Sequence, residues 1–324
     1  MNINETKLPG LENNDIPIIQ CKKRRHPDHL PRLHFLSLFC GSRGSGKTVA
    51  ICNLLKRYDK TKSFDRIIIF CPTLPNQPLF RNLIDTCKYA KFELYEDFTH
   101  EKFAEIKFEM DKRIEEYKKY ERDLALYKKY KQFSRTDKAW DNFNDDDLIY
   151  LNETEFERPE TEYKNGLPTT LLWFDDNMEN PILFGKGKAA AAINNFTILH
   201  RHKCCSIIWS VQAMRTGGYG VPKAIRNNLS FMCLYRNKSP QIQKDIAMEC
   251  CSFCEPSEFI NYWNYATQEK HSFFYVDYDA DPPYNLRKNF NTLLSHANVS
   301  DVTDVTENNG NNNPNEEDEV EEVV

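Results

Sequence analysis

Residues 41–48 read Gly41-Ser42-Arg43-Gly44-Ser45-Gly46-Lys47-Thr48, the spacing G-x-x-x-x-G-K-[ST]. A loop wrapped around a triphosphate must bring several backbone N–H groups to oxygen atoms, and the missing Cβ at Gly41, Gly44 and Gly46 leaves room for that approach. Lys47 has the length to reach the β- and γ-oxygens, and the Thr48 hydroxyl is placed to ligate Mg²⁺. The stretch predicts a nucleoside triphosphate site, with residues 41–48 touching the nucleotide. Glycine is only 11 of 324 residues, which disfavours a chance match.

Two further groups carry chemistry. Asp175 and Asp176 close the apolar run TTLLWFDD at Thr169–Asp176. Mg²⁺ takes few direct protein ligands and is usually held through one or two carboxylates, so Asp175 is expected at the metal, directly or through a water. Asp176 is then placed to polarise the attacking water, which separates hydrolysis from mere binding. Gln212 ends a second apolar run, SIIWSVQ at Ser206–Gln212. An amide at that edge can sense the γ-phosphate or orient water.

These residues need elements to hold them. An apolar, β-prone run, Leu33–Cys40, leads into the glycine loop, and a helix over Val49–Tyr58 points its positive dipole end at the phosphates. Further strands are predicted at Arg66–Cys71, Lys91–Tyr95, Leu229–Tyr235 and His271–Asp277, and helices at Gln77–Tyr89, Gly185–Phe196, 239–250 and 256–266. The order implies an α/β layered domain with a largely parallel sheet. From Glu101 to Phe133, Phe103, Ile106, Met110, Ile114, Tyr117, Tyr120, Leu124 and Tyr127 recur every three or four residues in a charged background. This predicts one long amphipathic helix or a helical hairpin inserted in the core, either packed on the domain or serving as a lever or partner-binding arm.

The expected organisation is an N-terminal arm over 1–32, an ATPase domain over 33–300, and a disordered acidic tail over 301–324. The domain carries the helical insertion at about 101–140 and an irregular acidic connector at 141–168. The arm includes the basic run Lys22-Lys23-Arg24-Arg25, readable as a nuclear-import signal, a phosphate contact or a solvated face. The tail holds nine of the 48 acidic residues and no Lys or Arg, leaving 43 basic against 39 acidic residues in 1–300. A mildly basic body permits contact with nucleic acid without requiring it. No apolar run approaches the ~20 residues of a membrane span, and residues 1–19 do not read as a secretory signal. The expectation is an intracellular protein whose 11 cysteines are reduced thiols.

Taken in order, the P-loop at 41–48, LLWFDD at Leu171–Asp176, Arg201-His202 followed by SIIWSVQ, and VPKAIRNN at Val221–Asn228 resemble the poxvirus-type genome-packaging ATPases of large DNA viruses and related mobile elements, within the FtsK/HerA superfamily. The ending FYVDYDADPPYNLRKNF at Phe274–Phe290 is also similar, and the likeness spans roughly residues 33–294 apart from the helical insertion. It implies a RecA-like core in which the Gln212 strand lies between the P-loop and Asp175 strands. It also implies a homo-oligomeric ring, pentamer or hexamer, that uses ATP and Mg²⁺ to drive double-stranded DNA into a capsid, docked by a capsid or portal-vertex protein. In such rings an arginine from the neighbour stabilises charge on the γ-phosphate. Arg226 is the first candidate, Arg201 the second, and Arg215 a third. The setting would be the host-cell interior, in a virus factory, cytoplasm or nucleus, with virion association left open.

Other readings compete. His200, His202, Cys204 and Cys205 with Cys250, Cys251 and Cys254 could form a zinc site, but the spacing matches no standard module. A small-molecule P-loop kinase would have no need of Asp176 or the Gln212 strand. A nucleotide-gated structural or recruitment protein would bind tightly without turnover.

Overall fold

The computed structural model describes residues 25–73, 78–133, 143–155, 157–177, 187–216, 219–251 and 254–295, together with residues 180 and 183. The basic run apart from Arg25, and the acidic tail, lie outside the described residues.

Among the described residues nine strands form one sheet: β1 Leu36–Cys40, β2 Arg66–Phe70, β3 Lys91–Tyr95, β4 Thr170–Asp175, β5 Cys205–Val211, β8 Phe231–Tyr235, β9 Phe273–Asp277, β10 Leu286–Lys288 and β11 Thr292–Leu293. Two short strands, β6 Arg215–Thr216 and β7 Tyr219–Gly220, form a separate hairpin. The order is β11-β10-β9-β8-β1-β5-β4-β2-β3. Strands β8, β1, β5, β4, β2 and β3 are parallel, and β9, β10 and β11 extend one edge antiparallel. Every residue of β1, β2, β4, β5 and β8 is buried, which explains why these segments read as near-continuous apolar runs: helices cover both faces.

Alternate side chains feed two cores. Leu36, Leu38, Ile68, Leu172 and Ile207 face one side, and Phe39, Ile67, Ile69, Trp173 and Ile208 the other. Helices α1 Lys47–Lys60 and α2 Pro78–Thr86 close the second side through Ile51, Leu54, Leu55, Phe80 and Leu83. The first side is covered by α3 His100–Phe133, α5 Lys188–Leu199, α6 Pro240–Cys250 and α7 Pro256–Ala266. This is an α/β core of RecA-like P-loop NTPase type, with β5 between β1 and β4 as the resemblance implied.

Several elements differ from expectation. β1 begins at Leu36, because His34 has φ 67° and cannot extend the strand; His271, at φ 69°, likewise delays β9 to Phe273. Of the two forms expected around residues 101–133, the single long helix is the one formed, over 34 residues from His100 to Phe133. Phe103, Ile106 and Met110 enter the core and Ile114 and Tyr117 are buried, whereas no residue from Lys118 to Gln132 is. The acidic connector is not wholly irregular: it contains α4 Asp145–Glu153. Its N-terminus is capped by Asn144, whose Oδ1 accepts from the Asp147 N–H at 2.7 Å, and Asp145, Asp146 and Asp147 complement the helix dipole.

Candidate active site

β1, β4 and β5 are parallel, in register with Cys40 beside Val211 and Asp175 beside Ser210, so their C-terminal ends open at one edge. The P-loop leaves β1 there, tied back by the Gly41 N–H donating to the Val211 carbonyl at 3.1 Å. Gly46, at φ 102°, caps α1 in a conformation side chains rarely adopt. Gly41 has a second reason to be glycine: a Cβ there would lie 2.5 Å from Tyr235 Cβ on β8. Lys47 is 8 % exposed and donates to the Gly41 carbonyl at 2.6 Å and to that of Ser42 at 3.3 Å. Burial lowers its pKa, while the nearby Asp175 and Asp176 charges favour the ammonium.

Asp175 is 3 % exposed, and its Oδ2 accepts from the Thr48 hydroxyl at 3.4 Å. Burial raises its pKa, opposed by the Ser210 hydroxyl and the Lys47 charge. The two groups expected to hold Mg²⁺ are therefore adjacent, and both offer the hard oxygen that this ion takes. The donor set fits. Asp176 turns the other way. At φ 55°, with its N–H donating to the Ser210 carbonyl at 3.1 Å, it presents an exposed carboxylate. The Gln212 amide donates to Asp176 Oδ1 at 2.8 Å. Two residues 36 apart in sequence thus meet at the end of adjacent strands, beside the P-loop.

Two contributors escaped the sequence reading. Asn177, 4 % exposed, donates to the carbonyls of Phe70 at 2.7 Å and Asp175 at 2.9 Å, fixing the turn that divides the two carboxylates. An Asn after an acidic strand end was a readable turn signal. Cys71 Sγ lies 3.8 Å from Asp175 Oδ2, a contact set by β2 pairing with β4, which no local signal encodes.

Arg226 and Arg201 are not brought to the chain's own P-loop contacts. Arg226, on a single helical turn at Lys223–Arg226, has a side chain 9 % exposed; its Nε lies 2.7 Å from Glu249 Oε1 on α6, and Nη1 donates to the Val221 carbonyl. As placed, it is a structural ion pair. Arg201 lies in the 3₁₀ turn His200–Lys203 that leads into β5, at the sheet edge opposite the P-loop. Its side chain is 58 % exposed and 3.8 Å from Asp279. For Arg215 the backbone lies in β6. Among the described residues no group of three or more His, Cys, Asp and Glu is arranged to hold a metal. His200 is buried with its ring nitrogens against the Thr197 and His34 carbonyls.

No protein-family model matches the chain, and no curated protein matches it. Among solved structures it is similar to the genome-packaging NTPase B204 from Sulfolobus turreted icosahedral virus 2 in complex with AMP, at 12 % identity and TM-score 0.46, covering 79 % of this chain and 96 % of that one. The same NTPase in complex with ATPγS gives 13 %, TM-score 0.45, and coverage of 79 % and 97 %. ATPases 2 and 3 of EssC from Geobacillus thermodenitrificans give 11 %, TM-score 0.45, and coverage of 80 % and 39 %. The assignment of the site rests on its own geometry.

Proposed function

We propose that this chain is an ATP hydrolase whose turnover drives double-stranded viral DNA into a capsid. The observation that carries the hydrolase is the Gln212–Asp176 hydrogen bond at 2.8 Å beside a P-loop whose Thr48 meets Asp175. Triphosphate binding needs only the loop; an exposed carboxylate steadied by an amide is what in-line attack by water needs. Residues 41–48 cradle the phosphates, and Lys47 turns its ammonium to the β- and γ-oxygens. Asp176 accepts the proton of the attacking water, and Gln212 holds that carboxylate and registers the γ-phosphate. Thr48 and Asp175 would hold Mg²⁺, which would supply charge neutralisation to the triphosphate.

The DNA half of the proposal draws on the ordered motifs shared with packaging ATPases and on the basic balance of residues 1–300. Its parts are a ring of five or six copies around the duplex, a capsid or portal-vertex protein as dock, a setting inside the host cell, and salt-sensitive phosphate contacts without sequence preference. Of the arginine candidates whose side chains are described, Arg201 is the more exposed, held only by surface contacts to Asp279 at 3.8 Å and the Ser230 hydroxyl at 3.4 Å, and so is the better suited to reach across an interface.

Steady-state hydrolysis with and without linear duplex DNA tests this, with Lys47→Ala as blank and Asp176→Asn as the chemistry variant. DNA-stimulated turnover is expected, with Asp176→Asn lowering kcat about 10²- to 10⁴-fold while nucleotide affinity is kept. Turnover indifferent to DNA would favour a small-molecule kinase, and tight binding without turnover a nucleotide-gated structural protein.

A further inference from the structure

The P-loop separates two clefts. One, of about 650 Å³, is lined by Ser42, Arg43 and Gln212 and so adjoins the hydrolytic end of the site. The other, of about 580 Å³, runs from Gly44–Ala50 along α1 to Arg57, and does not include Gln212 or either carboxylate. A triphosphate with its γ-end at Gln212 and its other phosphates on the loop must carry its nucleoside toward this second cleft.

The second cleft is suited to a flat heterocycle. Val49 and Leu79 line it and are 46 % and 37 % exposed, large apolar side chains that a bound ring would cover. Its far wall is the corner after β10, Asn289–Phe290–Asn291, held rigidly in place. The Asn289 N–H donates to the Phe273 carbonyl at 2.9 Å, and its Oδ1 accepts from the Phe273 N–H at 3.2 Å. The Phe290 ring packs edge-on against Phe273 at 4.9 Å, with the Arg57 guanidinium 5.7 Å from its centroid. The side chain of Asn291 is exposed at the cleft, with no hydrogen bond to it among the described residues.

We propose that this cleft, between Leu79, His271 and the Asn289–Phe290–Asn291 corner, is the nucleoside subsite, and that the Asn291 amide selects adenine. An amide gives one hydrogen bond and takes one on the same side, which matches the N7 acceptor and N6 amino donor of adenine; guanine presents two acceptors there, O6 and N7. The inference rests on the triphosphate site argued above and assigns choice of the base to Asn291, more than 240 positions from the P-loop in sequence.

Binding of ATP, GTP and inorganic tripolyphosphate, each with Mg²⁺, separates the two. Wild type should bind ATP more tightly than GTP. Asn291→Ala and Leu79→Asp, both at exposed positions, should each weaken ATP, the former about five- to 100-fold, and leave tripolyphosphate unchanged. Equal affinities for ATP and GTP, or variants that leave ATP binding intact or weaken ATP and tripolyphosphate alike, would overturn the assignment. If wild type bound tripolyphosphate but gained nothing from the nucleoside, the subsite alone would fall; if it bound neither, the triphosphate site would fall with it.

Discussion

Asp175 is caught between two demands. Burial favours its protonated form, and metal binding needs the carboxylate. Its folded-state pKa lies above the ordinary Asp value of about 3.9, so protonation stabilises the free chain. That contribution is complete below the ordinary value and is lost as pH rises through the elevated one. Asp175→Asn should therefore abolish turnover while leaving the melting temperature level with wild type or up to about 4 °C above it. Affinity for Mg²⁺·ATP should fall in wild type as pH is lowered through the elevated pKa, and a titration calorimetry series across that window checks it. A marked drop in Tm would instead make Asp175 a structural residue. Asp175, Asp176 and Gln212 were legible because each is a polar side chain ending an apolar strand. Asn291 was not, because its relation to the P-loop arises only when β10 pairs antiparallel with β9.

The elements divide into those that fix the site and those that project from it. Arg226 and Glu249 join the turn before β8 to α6, and both side chains are largely buried, at 9 % and 14 % exposure. Removing one partner strands the other, so Arg226→Ala should destabilise by about 3–5 kcal/mol in denaturant unfolding. Arg201→Ala, which loses a solvent-exposed pair with Asp279 and a long hydrogen bond to the Ser230 hydroxyl at 3.4 Å, should lose no more than about 1 kcal/mol and show its effect in hydrolysis by the assembled protein. Equal stability losses would contradict this division. Helix α3 is split along its own length: its first half is anchored through Phe103, Ile106 and Met110, while its second half meets α4 through Lys129, 3.8 Å from Asp147 and 4.6 Å from the Phe143 centroid. Hydrogen exchange should protect residues 103–117 far more than 118–132, and uniform protection would refute the split. The regular 3- and 4-residue spacing made α3 readable. α4 was hidden because acidic residues dominate it and only Leu151 is buried, although the Asn144 cap was a local signal for it.

At the scale of the whole molecule, the strand order is what makes one site from distant residues. Placing β5 between β1 and β4 sets Gln212, Asp176 and the P-loop at one sheet edge, an arrangement implied by the family resemblance and seen in the register. Of the antiparallel extension β9-β10-β11, only β9 was foreseen as a strand and its antiparallel pairing was not; β10 and β11 are three and two residues long and carry little periodicity. Arg201 sits at the opposite edge from the P-loop, so in a head-to-tail ring one copy's Arg201 edge can meet the next copy's nucleotide edge. The measurement that tests a DNA motor most directly is displacement of a triplex-forming strand from linear duplex DNA, comparing wild type with Lys47→Ala. ATP-dependent displacement by wild type, lost in the variant and weakened by salt, is the predicted result. Hydrolysis that proceeds without any displacement would contradict translocation and leave an ATPase of another kind.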